Sequence, residues 1–253
     1  MSSELTDRDF WNKYWENLEL PSEVDLAHSF DRCLSRKLES VTRGLSGEIF
    51  EIGCAPGKWI GHLAKINGLV PSGIEYTDRG LQATHENFEM LQIQPGTIMS
   101  GDFFSIEPYR EFDIVMSLGF IEHFEDTSAV VQRHLLWLKK GGLLILGVPN
   151  FSGLNRIIQN HLDSSLLDKH NLEIMNTVFF ENLATEFELQ KISIDYLGSF
   201  EPDLPIPKVR FGNTVQLFIK LFLYVARRIR KIQFMDRFNS SYFSSYILAV
   251  YRK

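Results

Sequence analysis

The chain has 253 residues, of which 44% are hydrophobic and 23% charged, and its formal net charge is −6. This composition supports one sizeable core and argues against a disordered chain. The two cysteines, Cys33 and Cys54, lack a CxxC partner, so we expect no disulfide framework, no metal site and a reducing, cytoplasmic environment. The charged N-terminus lacks the apolar run of a signal peptide, and no stretch reaches the ~20 apolar residues that span a bilayer.

Two helices are predicted before the first strand. Aromatic and apolar residues from Phe10 to Leu18 recur on one helical face, and Asp7 precedes them as an N-cap. A second helix is predicted over 28–41. In the first helix Tyr14 and Trp15 are candidates for a lid over a ligand; the alternative is that they form the buried face of a docked helix.

Short apolar segments alternate with amphipathic segments from residue 48 onward. Strands are predicted at 48–53, 69–75, 96–100, 112–117, 143–148, 189–197 and 242–251, and helices at 59–66, 78–91, 128–138, 173–187 and 214–232. This alternation implies right-handed crossovers and a parallel sheet. We therefore predict a single α/β domain, with an N-terminal helical cap at 1–45, a core at 46–197 and 242–253, and a C-terminal helical insertion at 198–241.

The first strand leads into a glycine-containing loop. Gly53 permits a sharp turn, and Gly57 keeps side chains away from a ligand. Ala55 replaces a glycine of the dinucleotide fingerprint, and Pro56 removes a backbone donor that a phosphate cradle uses. Glu51 would repel a pyrophosphate and attract an ammonium group. The loop therefore favours a ligand that carries a positive amino group.

The segment Glu51-Ile-Gly53-x-x-x-Gly57 resembles the first motif of class I S-adenosylmethionine (SAM) methyltransferases, and the resemblance extends over residues 48–150. It implies a doubly wound, seven-stranded, mostly parallel sheet with an antiparallel last strand. It also implies SAM as the cofactor and S-adenosylhomocysteine (SAH) as its product. The resemblance assigns these residues to the cofactor: Glu51, Gly53, Cys54, Ala55, Gly57, Glu75, Tyr76, Asp102, Phe103, Ser117 and Leu118.

These assignments have structural alternatives. Glu75 ends the second strand, where an acid can accept both ribose hydroxyls, and Tyr76 beside it could pack on the adenine. Asp102 would accept from the adenine amine while Phe103 covers the ring. Glu75 could equally be a solvent-facing acid, and Asp102 a turn former after glycine.

The stretch FDIVMSLGFIEHFED (112–126) resembles methyltransferases that act on small molecules. We therefore expect methyl transfer to an O or N nucleophile of a small-molecule acceptor, in a biosynthetic pathway. DNA amino-methyltransferases carry an Asn/Asp-Pro-Pro-aromatic string here, and RNA ribose methyltransferases need an aspartate near the end of this strand; both are absent. A methyltransferase acting on RNA or protein, and a non-catalytic SAM-binding module, remain as alternatives.

Three residues are candidates for contact with the acceptor. His123 follows the fourth strand and could act as a general base, although it could also brace the loop together with Glu122. His170 is expected to open the helix before the sixth strand, where it could also be a capping residue. Asn150 follows the fifth strand and could also form only a turn.

The basic helix at 215–232 combines an apolar surface with a cationic end. Residues 206–253 contain ten Lys and Arg residues and one acid, whereas the rest of the chain is acidic. The helix could pack on the core or form a homodimer, cover an anionic acceptor as a lid, or contact a membrane surface. The sequence does not distinguish these roles, and it does not identify the acceptor.

Overall fold

The computed structural model describes residues 4–16, 18–204, 214–229 and 231–253. The helices in these ranges are α1 (Arg8–Glu16), α2 (Ser29–Thr42), α3 (Lys58–Asn67), α4 (Asp78–Met90), α5 (Thr127–Leu136), α6 (Gly153–Asp163), α7 (Thr177–Glu186) and α8 (Thr214–Ile229). The strands are β1 (Glu48–Ile52), β2 (Val70–Glu75), β3 (Ile98–Ser100), β4 (Phe112–Leu118), β5 (Leu138–Pro149), β6 (Gln190–Leu197) and β7 (Tyr246–Arg252).

The seven strands form one sheet in the order β3-β2-β1-β4-β5-β7-β6. Strands β1 to β5 pair in parallel, and β7 runs antiparallel to both β5 and β6. The predicted fold class, including the antiparallel last strand, is confirmed. The strand order reverses between β1 and β4, and in such sheets ligands bind at the carboxyl ends of the strands beside this point.

Apolar residues cover both faces of the sheet. One layer contains Phe50, Phe112 and Trp137, whose rings stack at centroid distances from 4.3 to 6.2 Å. The other layer packs α2 and α3 against β1 and β4 through residues such as Leu34 and Ile60. Because both faces are covered, β1, β4 and β5 read as nearly continuous apolar runs.

The N-terminal helix begins where its cap predicts, since the Asp7 carboxylate accepts from the Phe10 amide at 2.7 Å. The C-terminal segment is fastened by a buried ion pair. Arg32 on α2 binds both oxygens of Asp236, at 2.6 and 2.7 Å, and its side chain is almost fully buried. This bidentate pair ties the only acid of the basic C-terminal segment to the N-terminal cap.

Several elements differ from the prediction, among them β7, which begins at Tyr246 and not at residue 242. Strand β5 begins at Leu138 and runs through the double glycine, because Leu138 pairs with Phe112 before the ladder shifts register. Helix α6 was not predicted at all. Helix α7 begins at Thr177 and not at residue 173, since Asn176 caps it through the Phe179 amide at 3.0 Å.

The predicted insertion is described only in part, because residues 205–213 lie outside the described ranges. Within those ranges, every helix falls short of the length and hydropathy that a bilayer-crossing segment requires.

Candidate active site

Each of the two glycines in the loop after β1 is required by a close approach. Gly53 has φ of +70°, and a Cβ there would lie 3.0 Å from the Phe120 ring. Gly57 has φ of +81°, and its Cβ would lie 2.5 Å from Phe88 on α4. Gly57 therefore permits the packing of α3 on α4, and it lies outside the wall of the cavity described below.

Two other residues of this loop region are buried beneath it. Glu51 in β1 is 4% exposed, and its pKa is raised well above the usual value by burial and by the nearby carboxylate of Glu75. Cys54 is a free thiol whose pKa burial also raises. A cation held above the loop would stabilise the charged form of Glu51. Neither residue lines the cavity described below, whereas the neighbouring Gly53 and Ala55 do.

At the end of β2, Glu75 is held in a fixed position. Its Oε1 accepts from the amide and the hydroxyl of Thr77, at 2.8 and 2.6 Å. Burial raises its pKa, while the bonds from Thr77 and from the amides of Ala55 and Tyr76 oppose the shift. Next to it, the Arg8 guanidinium carbon lies 5.8 Å from the centroid of the Tyr76 ring. Burial raises the pKa of Tyr76 to about 12.

After β3, Asp102 forms a turn and also faces the cavity. Its two oxygens accept from the Phe104 amide at 2.9 Å and from the Ser105 hydroxyl at 2.7 Å. Phe103 packs edge-on against Phe120, with ring centroids 5.8 Å apart. Both Asp102 and Phe103 line the cavity. Asp102 therefore forms the turn and also lies where a ligand can reach it.

The end of β4 places two predicted residues on opposite faces of the sheet. Leu118 lines the cavity, whereas Ser117 is fully buried and its hydroxyl lies 2.9 Å from His134 Nε2. Successive side chains of a strand alternate between its faces, so only one of the two can reach the ligand side. The structure does not bring the Ser117 side chain to the cavity.

The cavity has a volume of about 720 Å³ and lies at the carboxyl ends of β1 to β5. It contains eleven of the predicted site residues: Tyr14, Trp15, Gly53, Ala55, Glu75, Tyr76, Asp102, Phe103, Leu118, His123 and His170. The other five, Glu51, Cys54, Gly57, Ser117 and Asn150, lie outside its wall. The volume is in the range of sites that hold a cofactor or a small molecule.

Helix α1 covers part of this cavity. Trp11, Tyr14 and Trp15 line it, and the Trp11 indole donates to the Thr6 hydroxyl at 3.0 Å. The Trp11 ring also meets His123 edge-on, with centroids 5.0 Å apart. Tyr14 remains 54% exposed. The aromatic face of the N-terminal helix therefore closes the cavity and is not buried in the core.

His123 is fixed by its surroundings in one tautomer. Its Nδ1 lies 2.8 Å from the Lys169 carbonyl oxygen, which can only accept, so Nδ1 carries the proton and the Nε2 lone pair is free. Burial, with a contribution from His170, lowers the pKa of His123 to about 3. Next to it, Glu122 is 1% exposed, and burial raises the pKa of Glu122 to about 8.

Of the two other residues predicted to contact the acceptor, His170 lines the cavity and Asn150 does not. The ring centroid of His170 lies 4.7 Å from that of His123, and His170 Nδ1 lies 2.8 Å from the Leu166 carbonyl. It does not open α7, which begins seven residues later, but it caps the C-terminal end of the 3-10 helix Ser164–Lys169, where its backbone amide donates to the Leu167 carbonyl at 3.1 Å. Asn150 is fully buried, and its amide donates to the carbonyls of Ser241 and Ser244 at 3.1 and 2.8 Å. Asn150 therefore fastens the end of β5 to the segment before β7.

Several wall residues were not predicted. Trp11 could have been found, since it lies on the aromatic face of α1, and so could Glu122, for which the sequence predicts only a bracing role in the loop. No local pattern marks Phe120 or Tyr246, because the topology alone brings them to the cavity.

Comparison with known proteins agrees with this architecture. A family model described as a methyltransferase domain matches residues 14–194, more than half of the chain. The chain therefore belongs to the methyltransferase-domain family. Family and fold together define it as an enzyme, a class I methyltransferase whose methyl donor is S-adenosylmethionine. A search among curated proteins finds no significant match.

Solved methyltransferases share the fold at low sequence identity. A SAM-dependent methyltransferase from Archaeoglobus fulgidus has a TM-score of 0.54 at 15% identity, over 98% of this chain and 95% of that chain. Coclaurine N-methyltransferase bound to N-methylheliamine and SAH has 0.54 at 14%, over 87% and 71%. Phosphoethanolamine N-methyltransferase 2 of Haemonchus contortus, in complex with SAM, has 0.57 at 17%, over 87% and 52%.

Proposed function

We propose that this enzyme transfers the methyl group of SAM to an O or N nucleophile of a small-molecule acceptor bound in the 720 Å³ cavity. One observation supports the proposal most: Glu75, Asp102 and His123, which are far apart in sequence, line the same aromatic cavity at the carboxyl ends of the strands. The cofactor and the acceptor would both bind within this one cavity. A role in a biosynthetic pathway is part of this proposal.

For the cofactor we propose that Glu75 binds the ribose hydroxyls and Asp102 the adenine amine, with Tyr76 and Phe103 against the ring. The backbone of Gly53 and Ala55 would pass close to the methionine part, and Leu118 would border the sulfonium. Carboxylates suit this ligand, because SAM has a sulfonium and an ammonium group against one carboxylate.

Four predicted cofactor residues would then act from behind the wall. Glu51 would contribute a negative charge beneath the ammonium group, and Cys54 and Gly57 would shape the loop by packing. Ser117 would hold His134 and so support the layer under Phe103, whose ring centroid lies 5.1 Å from that of His134.

In the transfer, a lone pair of the acceptor O or N forms a bond to the methyl carbon while the C–S pair stays on sulfur, which becomes the neutral thioether of SAH. The protein mainly orients the reactants and excludes water. The Nε2 lone pair of His123 would accept the nucleophile's hydrogen bond and its proton. Tyr14, Trp15 and His170 would contact the acceptor, whereas the buried Asn150 would support the site indirectly, through the segment before β7 that its side-chain amide binds.

The charges of the wall bear on the kind of acceptor. Among the described wall residues, six are carboxylic acids and one is a lysine: Glu4, Glu75, Asp102, Glu122, Asp163, Asp203 and Lys169. Such a wall favours a neutral or amine-containing acceptor over the anionic one considered from the sequence, and it disfavours RNA. The neighbours named for N-methylation of coclaurine and phosphoethanolamine are in line with an amine.

The proposal is tested by incubating the enzyme with methyl-labelled SAM and a pool of metabolites enriched in amines and alcohols. We expect label in a small molecule, and loss of that label with the Glu75→Ala variant but not with Glu89→Ala, which removes an exposed acid of α4. Label found only in RNA or protein, or in no molecule of any class, would contradict the proposal.

A further inference from the structure

Three side chains that could bind a metal ion converge at the cavity. One ligand atom from each of Glu122, His123 and His170 lies within 4.8 Å of the other two. The 3-10 turn after β4 carries Glu122 and His123, and the loop before α7 carries His170. Two hydrogen bonds hold the turn and the loop together: the Asn171 amide donates to the Glu122 carbonyl at 2.6 Å, and the His123 imidazole donates from Nδ1 to the Lys169 carbonyl at 2.8 Å.

Both imidazoles present the same free nitrogen. His123 Nδ1 donates to the Lys169 carbonyl and His170 Nδ1 donates to the Leu166 carbonyl, each at 2.8 Å. Because a carbonyl oxygen only accepts, each ring keeps an unprotonated Nε2. Metal-binding histidines characteristically donate their other ring nitrogen in this way, which fixes the tautomer and the ring orientation.

One oxygen of the Glu122 carboxylate lacks a partner within the described part of the chain. Glu122 is 1% exposed, and its Oε2 has no hydrogen-bond partner among the described residues. Its Oε1 lies 3.7 Å from His123 Nε2, beyond hydrogen-bonding distance. Within the described residues Lys169 forms no ion pair with Glu122, and its ammonium stands 4.5 Å from the centroid of the Phe10 ring. A buried polar atom without a partner costs free energy, and a cation would satisfy it.

We propose that Glu122, His123 and His170 bind a divalent transition-metal ion of the zinc class at the acceptor side of the cavity. Two imidazoles and one carboxylate suit such ions and leave coordination positions open for a substrate. Ligand distances of about 2.1 Å require the three atoms to draw closer than 4.8 Å, so the ion would contract the cluster. Because Glu122 and His123 are far from His170 in the sequence, no spacing motif predicted a metal site here.

The inference deepens the proposed function and rests on it for its role in catalysis. An acceptor hydroxyl would occupy an open position on the ion, which would lower the pKa of that hydroxyl, and its proton would pass to water. A lone pair of the resulting oxyanion would then form the bond to the methyl carbon, while the C–S pair stays on sulfur. In this arrangement His123 is a ligand and does not itself take the proton.

Metal binding is measured directly on the full chain after chelator treatment, by titration with Zn²⁺ and by the visible absorption of bound Co²⁺. We expect one ion per chain. Glu122→Gln and His170→Gln should each weaken Zn²⁺ binding by at least about tenfold. The matched control His161→Gln removes an exposed histidine of α6 and should leave it unchanged. If Glu122→Gln does not fold, His170→Gln decides, because its side chain is only partly buried.

A parallel SAH titration separates the two proposals. SAH binding without stoichiometric Zn²⁺ would overturn the metal site and leave the proposed function standing. Zn²⁺ affinity that is equal in the wild type, His170→Gln and His161→Gln would also overturn it, since the ion would then bind elsewhere. Zn²⁺ binding to the cluster without SAH binding would contradict the proposed function alone.

Discussion

At the scale of single residues, burial decides the charge state of His134. His134 is fully buried between the Ser117 hydroxyl and the Val130 carbonyl, and burial lowers its pKa to about 4. Its partners are those of a neutral ring, which donates from one nitrogen and accepts at the other. His134 therefore supports the fold only while it is uncharged.

This gives a prediction for the pH dependence of stability. The pKa of His134 is lower in the folded than in the unfolded state, so its contribution is complete above pH 6.5 and is lost as the pH falls towards 4. Between pH 7.5 and pH 5, the free energy of unfolding of the wild type should fall by about 2 kcal/mol relative to His134→Gln. Denaturant unfolding of both proteins at the two pH values measures this; an equal fall in both would contradict it.

A second prediction concerns His123. Its free Nε2 at the acceptor side gives it a role either as proton acceptor or as metal ligand, so His123→Asn should lower kcat by at least about tenfold. The rate is measured with an identified acceptor, with His161→Asn as the control. A loss below threefold would exclude an important role for His123.

The residue scale also shows where prediction from sequence stops. Glu75, Tyr76 and Asp102 could be placed because they follow the ends of parallel strands, and the topology brings those ends together. Ser117 and Leu118 could not be separated, because a shift of one residue exchanges the two faces of a strand. The packing role of Gly57 depends on Phe88, which lies on a different helix.

At the scale of elements, α1 and α8 contribute few buried residues to the hydrophobic core. Helix α1 closes the cavity with its aromatic face. None of the described residues of α8 lines the cavity, so the structure gives no support to its role as a lid. In α8 Leu223 is the buried residue, whereas Leu217, Phe218 and Leu221 are 67%, 67% and 58% exposed.

We propose that α8 contacts an anionic membrane surface, because its exposed apolar side chains accompany a cationic end and no acid. Vesicles containing phosphatidylserine should sediment the wild type, and Phe218→Glu should weaken this binding several-fold. Val178→Glu, which changes an exposed apolar residue of α7, is the control. Absence of binding, together with a dimer that Phe218→Glu dissociates, would show that α8 is a subunit interface.

Helix α6 could not be predicted from its local sequence pattern. Its apolar residues Leu154, Ile158 and Leu162 recur at helical spacing, but polar residues separate them and no side chain caps the first turn. Two of the intervening polar residues, Asn155 and Gln159, are fully buried. Asn155 donates to the carbonyls of Asn150 and Ser244, so long-range hydrogen bonds complete what the local pattern leaves ambiguous.

At the scale of the whole molecule, charge is divided between two regions. Acids line the cavity, while cations gather in the C-terminal segment, where Asp236 pairs with the buried Arg32. We propose that cap, core and insertion form one domain, with this ion pair linking its first and last parts. Strand order and fold class could be predicted because the alternation of strands and helices allows few topologies. The acceptor could not, because loops without a readable motif shape its side of the cavity.

The central claim is that Glu75 belongs to a SAM site, and isothermal titration with SAH tests it most directly. We expect the wild type and Glu89→Ala to bind one SAH per chain with equal affinity. Glu75→Ala should lose about 1.5–3 kcal/mol of binding free energy, the scale for charge-assisted hydrogen bonds. Absence of SAH binding to the wild type, or equal affinity in the wild type and Glu75→Ala, would contradict the account.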